Sequence, residues 1–231
     1  NNIFRYNTVE HTYRAAGSAI FGGNGHQVHH CIIRDGHAGS GIRLTTDFPG
    51  YHFENTTQIR YFENTIEACG TSKDLWGIHR GAIEINATGG GIQNIFFENI
   101  DIINAQRHGV QIGGNGTDLQ FDNISINGTG IDPYTYSYYT VALEGAAVMA
   151  FGGNGTAVFN NLSLENIELD PPTYKANENY NLIIQNLNVP LTGISLSESQ
   201  IDMAVGEAEP LYVNYSPANA TNKTVTWTTS N

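Results

Sequence analysis

A two-part phrase recurs along most of this chain, and it leaves few folds open. Its first part is an aromatic or aliphatic run, then Asn, then an alternating strand. It reads Tyr6-Asn7-Thr8-Val9, Glu63-Asn64-Thr65-Ile66, Glu98-Asn99-Ile100-Asp101-Ile102, Asp122-Asn123-Ile124-Ser125-Ile126, Asn160-Asn161-Leu162-Ser163-Leu164 and Gln185-Asn186-Leu187. Its second part is a small residue before another alternating strand, closed by Gly-Gly-Asn-Gly. It reads Ala19-Ile20-Phe21-Gly22-Gly23-Asn24-Gly25, Gly109-Val110-Gln111-Ile112-Gly113-Gly114-Asn115-Gly116 and Met149-Ala150-Phe151-Gly152-Gly153-Asn154-Gly155. A phrase repeated at this scale marks stacked structural units.

With His30 in the second unit, the marker positions are 7, 30, 64, 99, 123, 161 and 186, separated by 23, 34, 35, 24, 38 and 25 residues. The short separations set the basic coil, and the long ones add a loop. Period-two alternation of branched and aromatic residues is strand chemistry, and helical periodicity is almost absent. The chain therefore reads as an all-β protein. Residues 1–188 form a right-handed parallel β-helix, a pectin-lyase-like solenoid whose strands stack in parallel from coil to coil. Asn suits the sharp corner because it accepts left-handed backbone angles, and Asn side chains stacked along the axis can bond to one another. The paired glycines Gly22-Gly23, Gly113-Gly114 and Gly152-Gly153 suit a second corner where no Cβ fits.

Composition narrows function. The formal charge is −12, with 10 Lys+Arg against 22 Asp+Glu, which argues against nucleic acid and is compatible with a neutral or cationic ligand. No apolar run is long enough to span a membrane. Cys31 and Cys69 fall at different points of their coils and read as unpaired, buried thiols. His26, His29 and His30 share one strand entry but lack metal-ligand spacing, so neither metal nor cofactor is implied. The chain opens in mid-phrase at Asn1-Asn2-Ile3-Phe4 without Met and reads as a piece of a longer protein.

The phrase stops after Asn186-Leu187-Asn188. Residues 189–231 carry short alternating strands between Gly, Pro and Asn turns, the pattern of a β-sandwich. The run from Val189-Pro190-Leu191-Thr192-Gly193-Ile194-Ser195-Leu196-Ser197 through Ala204-Val205-Gly206-Glu207 to Val225-Thr226-Trp227 resembles the opening of a bacterial immunoglobulin-like group 2 domain. That family's domain is roughly twice this long, so the resemblance implies a truncated sandwich with an incompletely covered core.

The order of phrases in the first region is more specific than the fold. It runs Asn7-Thr8-Val9, Ala19-Ile20-Phe21-Gly22-Gly23, Cys31-Ile32-Ile33-Arg34-Asp35, Gly39-Ser40-Gly41-Ile42, Phe53, Phe62-Glu63-Asn64-Thr65-Ile66, Gly81-Ala82-Ile83-Glu84-Ile85 and Gly109-Val110-Gln111-Ile112. This series resembles the catalytic β-helix of glycoside hydrolase family 87, the α-1,3-glucanase and mycodextranase group. The resemblance implies a secreted or cell-surface bacterial protein acting on a neutral α-glucan. It also implies catalysis by acidic residues that include an adjacent Asp-Asp pair, placed before the stretch that Asn7-Thr8-Val9 matches. No Asp-Asp occurs in this sequence. The expected catalytic carboxylates therefore lie upstream of Asn1, and the chain alone is expected to be inactive.

Aligning the second strands on Gly41, Ala82 and Gly109 points Arg43, Glu84 and Gln111 outward in one column, about 4.8 Å apart. Such a column can bind a sugar chain through directional bonds to hydroxyls, or form a solvated face with an Arg43–Glu84 ion pair. Two loops add Trp76, His79 and Arg80 as sugar-binding candidates, with Asp47 and Asp74 as the weaker candidates for an acid/base pair. Asp35 ends a strand at a corner and reads as a backbone cap. The insertion at 132–139 is rich in Tyr and fits either a groove flank or a packed side. Two functions remain open: a fragment of a polysaccharide hydrolase that supplies substrate-binding subsites, and a non-enzymatic, adhesin-like surface β-helix with Ig-like spacers and possible cell-wall association.

Overall fold

The structure, a computed structural model, describes residues 1–12, 16–36, 39–46, 56–70, 81–131, 145–151, 153–169, 172–175 and 179–228. The chain divides into two compact units, Asn1–Leu187 and Asn188–Asn231. Thirteen strands of the first unit join in one sheet. They are β1 (Ile3–Arg5), β2 (Thr8–Glu10), β3 (Ser18–Ile20), β4 (Gln27–His29), β5 (Ile32–Arg34), β6 (Ile42–Thr45), β7 (Thr56–Glu67), β8 (Gly81–Ile103), β9 (His108–Asn127), β10 (Val148–Phe151), β11 (Thr156–Glu165), β12 (Thr173–Lys175) and β13 (Asn181–Gln185).

Every strand pairing among the described residues of this sheet is parallel, and the strands recur in three files. The first file runs β1, β4, the start of β7, the middle of β8 and of β9, then β11 and β13. The second runs β2, β5, then the ends of β7, β8, β9 and β11. The third runs β3, β6, the starts of β8 and β9, then β10 and β12. The chain passes through the files in the same order on each turn, so the sheet curls on itself, consistent with a parallel β-helix.

Left-handed residues make the corner between the first and second files. They are Tyr6, His30, Glu63, Asn99, Asn123, Asn161 and Asn186, with φ between 52° and 55°. The expected Asn file is present in the last four. Asn123 Nδ2 donates to Asn99 Oδ1 at 3.1 Å, Asn161 Nδ2 to Asn123 Oδ1 at 3.0 Å, and Asn186 Nδ2 to Asn161 Oδ1 at 3.2 Å. Two markers move by one residue: Tyr6 and Glu63 occupy the corner, and Asn7 and Asn64 follow it. Asn64 instead turns inward, accepts from Cys31 N–H at 3.0 Å and donates to the Val28 carbonyl at 2.9 Å. It thus satisfies the backbone of the coil before it, a requirement for buried peptide groups. A second left-handed file, His11, Asp35, Ala68, Asn104 and Asn166, turns the chain out of the second file of strands. Asp35 is that turn itself, with its carboxylate 3.7 Å from His11. In the Gly-Gly corner, Gly114 and Gly153 have φ of 75° and 73°. A Cβ on Gly153 would lie 2.1 Å from the Gly114 carbonyl oxygen.

The core follows from register. Coils about 4.8 Å apart put equivalent side chains in van der Waals contact. Tyr61, Phe97, Phe121 and Phe159 stack face to face with centroids 4.8, 4.7 and 4.1 Å apart and planes within 5°. Ile42, Ile83, Val110 and Val148 form an aliphatic column, and Leu44, Ile85, Ile112 and Ala150 another, all fully buried. The small residue that opens the third-file strands has a packing reason: a Cβ on Gly41 would meet Ile66 Cγ2 at 2.4 Å. Cys31 and Cys69 are free and buried.

In the second unit, β14 (Gly193–Leu196) pairs antiparallel with β15 (Val213–Ser216). Val189 and Ala220 are its buried apolar residues, while Ile194, Leu196, Tyr212 and Trp227 are exposed. Thr221 N–H donates to the Val189 carbonyl at 2.9 Å. A lone two-stranded sheet is marginal, and the described residues of this unit do not form a sandwich.

Two measurements test these packing arguments. Asn123→Ala loses two amide bonds and places a Cβ-bearing residue without a local bond in left-handed geometry, so urea denaturation is expected to show a loss of about 2–3 kcal/mol. Asn123→Gly, free of the backbone cost, is expected to lose about 1 kcal/mol. Second, the buried Tyr61 hydroxyl has no hydrogen-bond partner among the described residues. Tyr61→Phe keeps the ring stack and is expected to raise stability by about 1 kcal/mol; a loss would show that the hydroxyl is satisfied.

Candidate functional site

Register places Ala19, Arg43, Glu84, Gln111 and Met149 side by side in the third file. Their neighbours Ile42, Leu44, Ile83, Ile85, Val110 and Ile112 fill the interior, so by the two-residue period of a strand the polar three project from the outer face. The predicted column therefore exists. Its surroundings differ from both sequence-based expectations: Glu84 is 3% and Gln111 4% exposed, and the Arg43 side chain is 15% exposed. The column is neither a solvated face nor an open groove.

Each polar group is fixed differently. Ser40 Oγ donates to Glu84 Oε2 at 2.8 Å, and Arg43 Nε lies 3.4 Å from the same oxygen. The expected Arg43–Glu84 pair is thus present, and its low exposure makes it more sensitive to loss of one partner than a surface pair would be. Gln111 Oε1 is buried and accepts no hydrogen bond among the described residues. An unmade bond of this kind costs about 1–3 kcal/mol.

Two buried polar residues that the sequence reading did not single out stand at the start of β9. Arg107 directly precedes β9 and His108 is its first residue, in register with Gly81; both are buried. Ala146 N–H donates to His108 Nδ1 at 3.1 Å. That bond assigns the neutral ring's proton to Nε2, which is then a donor. The signal was the pair Arg107-His108 just before the small residue Gly109, a place that reads as ordinary loop polarity.

The column holds a guanidinium group, a carboxylate and an amide, with the Ser40 hydroxyl bonded to the carboxylate. These groups can orient a polar ligand. They do not supply two carboxyl groups for glycoside hydrolysis, since Glu84 is the one carboxylate among the described residues of the column. Asp47, Asp74, Trp76, His79 and Arg80, and the Tyr-rich stretch 132–139, lie outside the described residues. Thiol chemistry finds no support at Cys69, whose pKa burial pushes up to about 11, keeping it protonated and poorly nucleophilic at neutral pH. Among the described residues, no group of three His, Cys, Asp or Glu is placed to hold a metal ion, and no helix is long and apolar enough to cross a membrane.

Comparison with solved structures finds a likeness to the crystal structure of the Agl-KA catalytic domain. It has 45% sequence identity and a TM-score of 0.75, and covers 80% of this chain and 32% of that one. The chain thus spans about a third of the length of the structure it matches. No protein-family model matches the chain, and comparison with curated proteins gives no match.

Removing the carboxylate tests the strip. Glu84→Ala leaves Arg43 and Ser40 facing a void and is expected to lower stability by about 3 kcal/mol in urea denaturation. A change below about 0.5 kcal/mol, the range of ordinary surface substitutions, would show that the carboxylate is solvated.

Proposed function

We propose that this chain is the C-terminal part of the catalytic β-helix of a secreted polysaccharide-degrading glycoside hydrolase, of the α-1,3-glucanase and mycodextranase type grouped in family 87. In this reading the solenoid is right-handed and pectin-lyase-like, and it is followed by the opening strands of a bacterial immunoglobulin-like group 2 domain. One observation carries the proposal: a chain 45% identical to a catalytic domain over 80% of its length also follows the order of that family's phrases. Its part in the reaction is scaffold and substrate-binding subsites. Arg43, the most exposed of the column's three polar members at 15%, contacts the glucan together with Trp76, His79 and Arg80, while the buried Glu84 and Gln111 fix the column; the catalytic carboxylates belong to a part of the enzyme that this sequence does not contain. The substrate is a neutral α-glucan, in keeping with a chain whose charge is −12.

The test is retention of the 231-residue chain on insoluble α-1,3-glucan beside cellulose, with reducing ends measured in the supernatant. Retention on the α-glucan, weak retention on cellulose and no release of reducing ends are expected. Equal retention on both polysaccharides, or on neither, would remove the substrate assignment. Release of reducing ends would show that the chain carries its own catalytic pair.

A further inference from the structure

The corner between the first and second files changes character along the solenoid. Its last four positions are Asn99, Asn123, Asn161 and Asn186, which bond to one another in a ladder. Its first three are Tyr6, His30 and Glu63, at φ 54°, 52° and 53°. These coils forgo both the residue that best tolerates left-handed backbone and the ladder it brings. Sparsely populated backbone angles held without such compensation concentrate at functional sites.

The three side chains form a continuous exposed strip instead. The Tyr6 ring centroid lies 4.8 Å from that of His30 at a tilt of 48°, and the His30 and Glu63 side chains are 38% and 48% exposed. His30 Nε2 lies 2.5 Å from Glu63 Oε2, and His30 Nδ1 lies 2.8 Å from His29 Nδ1. His29 is held from behind by the Phe62 ring, stacked at 4.3 Å. Arg5 lies 5.6 Å from the Tyr6 ring centroid and Arg60 5.5 Å from that of Phe62. Burial, then the neighbouring His30, lowers the pKa of His29. An aromatic face bordered by a carboxylate, an imidazole and guanidinium groups matches a pyranose: apolar C–H faces meet the ring, and hydroxyls meet the polar border. The chain's −12 charge disfavours a phosphate-bearing ligand.

We propose that the Tyr6–His30–Glu63 corner is a saccharide-binding site, distinct from the buried strip of the third file, which holds a glucan chain against the outside of the solenoid. The proposal rests on the reading of this chain as part of a polysaccharide-acting enzyme.

The decisive variant is the triple replacement Tyr6→Asn, His30→Asn and Glu63→Asn, which extends the Asn ladder. Its thermal midpoint is expected to equal or exceed that of the wild type, while its retention on insoluble α-1,3-glucan falls about fivefold, the scale of one lost aromatic contact. In the wild type, the Tyr6 and His30 ring resonances are expected to shift on titration with an α-1,3-linked glucose oligosaccharide. If the triple variant does not fold, Tyr6→Leu serves in its place, with the same fivefold loss expected. A folded variant that retains glucan like the wild type overturns the proposal. So do ring resonances that stay fixed while the wild type is retained, a result that leaves the hydrolase reading standing. Ring shifts with an α-1,4-linked oligosaccharide but neither shifts nor retention with α-1,3-glucan would sink the α-1,3 reading and leave the corner site intact.

Discussion

A coil can stack on its neighbour only if the chain turns at the same place on every circuit. Here the turn between the first two files is a single residue at φ near +53°, repeated seven times. That one left-handed residue ends one strand and aims the next without a loop. Because it recurs at the same register, the strands on either side pair residue for residue, from Ile3 against Gln27 to Asn160 against Gln185. The ring stack, the aliphatic columns and the Asn ladder are consequences of this shared register. Any insertion must fall where it leaves the corner untouched, and the long coils therefore carry their extra residues in or beside the third file.

Register also stacks what would repel. Glu98 and Asp122 are partners in neighbouring coils of the first file. Arg60 lies 3.3 Å from Glu98 on one side, and Asn160 donates to Asp122 at 2.7 Å on the other. Like charges directly opposite are unfavourable in a sheet, and here each carboxylate has a partner supplied by the coil beyond it. The same rule explains Glu10 and Arg34, paired across β2 and β5. A solenoid of this kind selects its surface in triplets of coils, so polar outer columns such as Arg43–Glu84–Gln111 arise from structure before they serve any ligand.

Much of this was legible because the corner leaves a mark in the sequence. Asn99, Asn123, Asn161 and Asn186 stand where the phrase put them. The phrase misled by one residue at Asn7 and Asn64 because Asn also caps from the following position, as Asn64 does toward Cys31 and Val28. Period two gave the direction of Arg43, Glu84 and Gln111 correctly, but it carries no information on what lies over a strand, so their burial was invisible. Arg107 and His108 were missed for a related reason: a polar pair ahead of a small residue looks like a loop until register shows Ser40, Gly81 and Ala146 as the small residues beside it. In residues 189–231 the alternation was readable, yet Ile194 and Leu196 are exposed, because alternation names the apolar face without providing its partner.

The spacing of coils limits what chemistry the third file can perform. Two carboxyl groups that share a glycosidic bond stand about 6.5–9.5 Å apart in the inverting case, which on a solenoid means one to two rises of about 4.8 Å. The positions one and two rises from Glu84 in its own column hold Arg43, Ala19, Gln111 and Met149. None is acidic. A second carboxylate for Glu84 would have to reach in from outside the column, and Glu84 is already bonded to Ser40 and paired with Arg43. The described column thus holds a single carboxylate, fixed by its neighbours, and does not by itself offer the two carboxyl groups that hydrolysis uses.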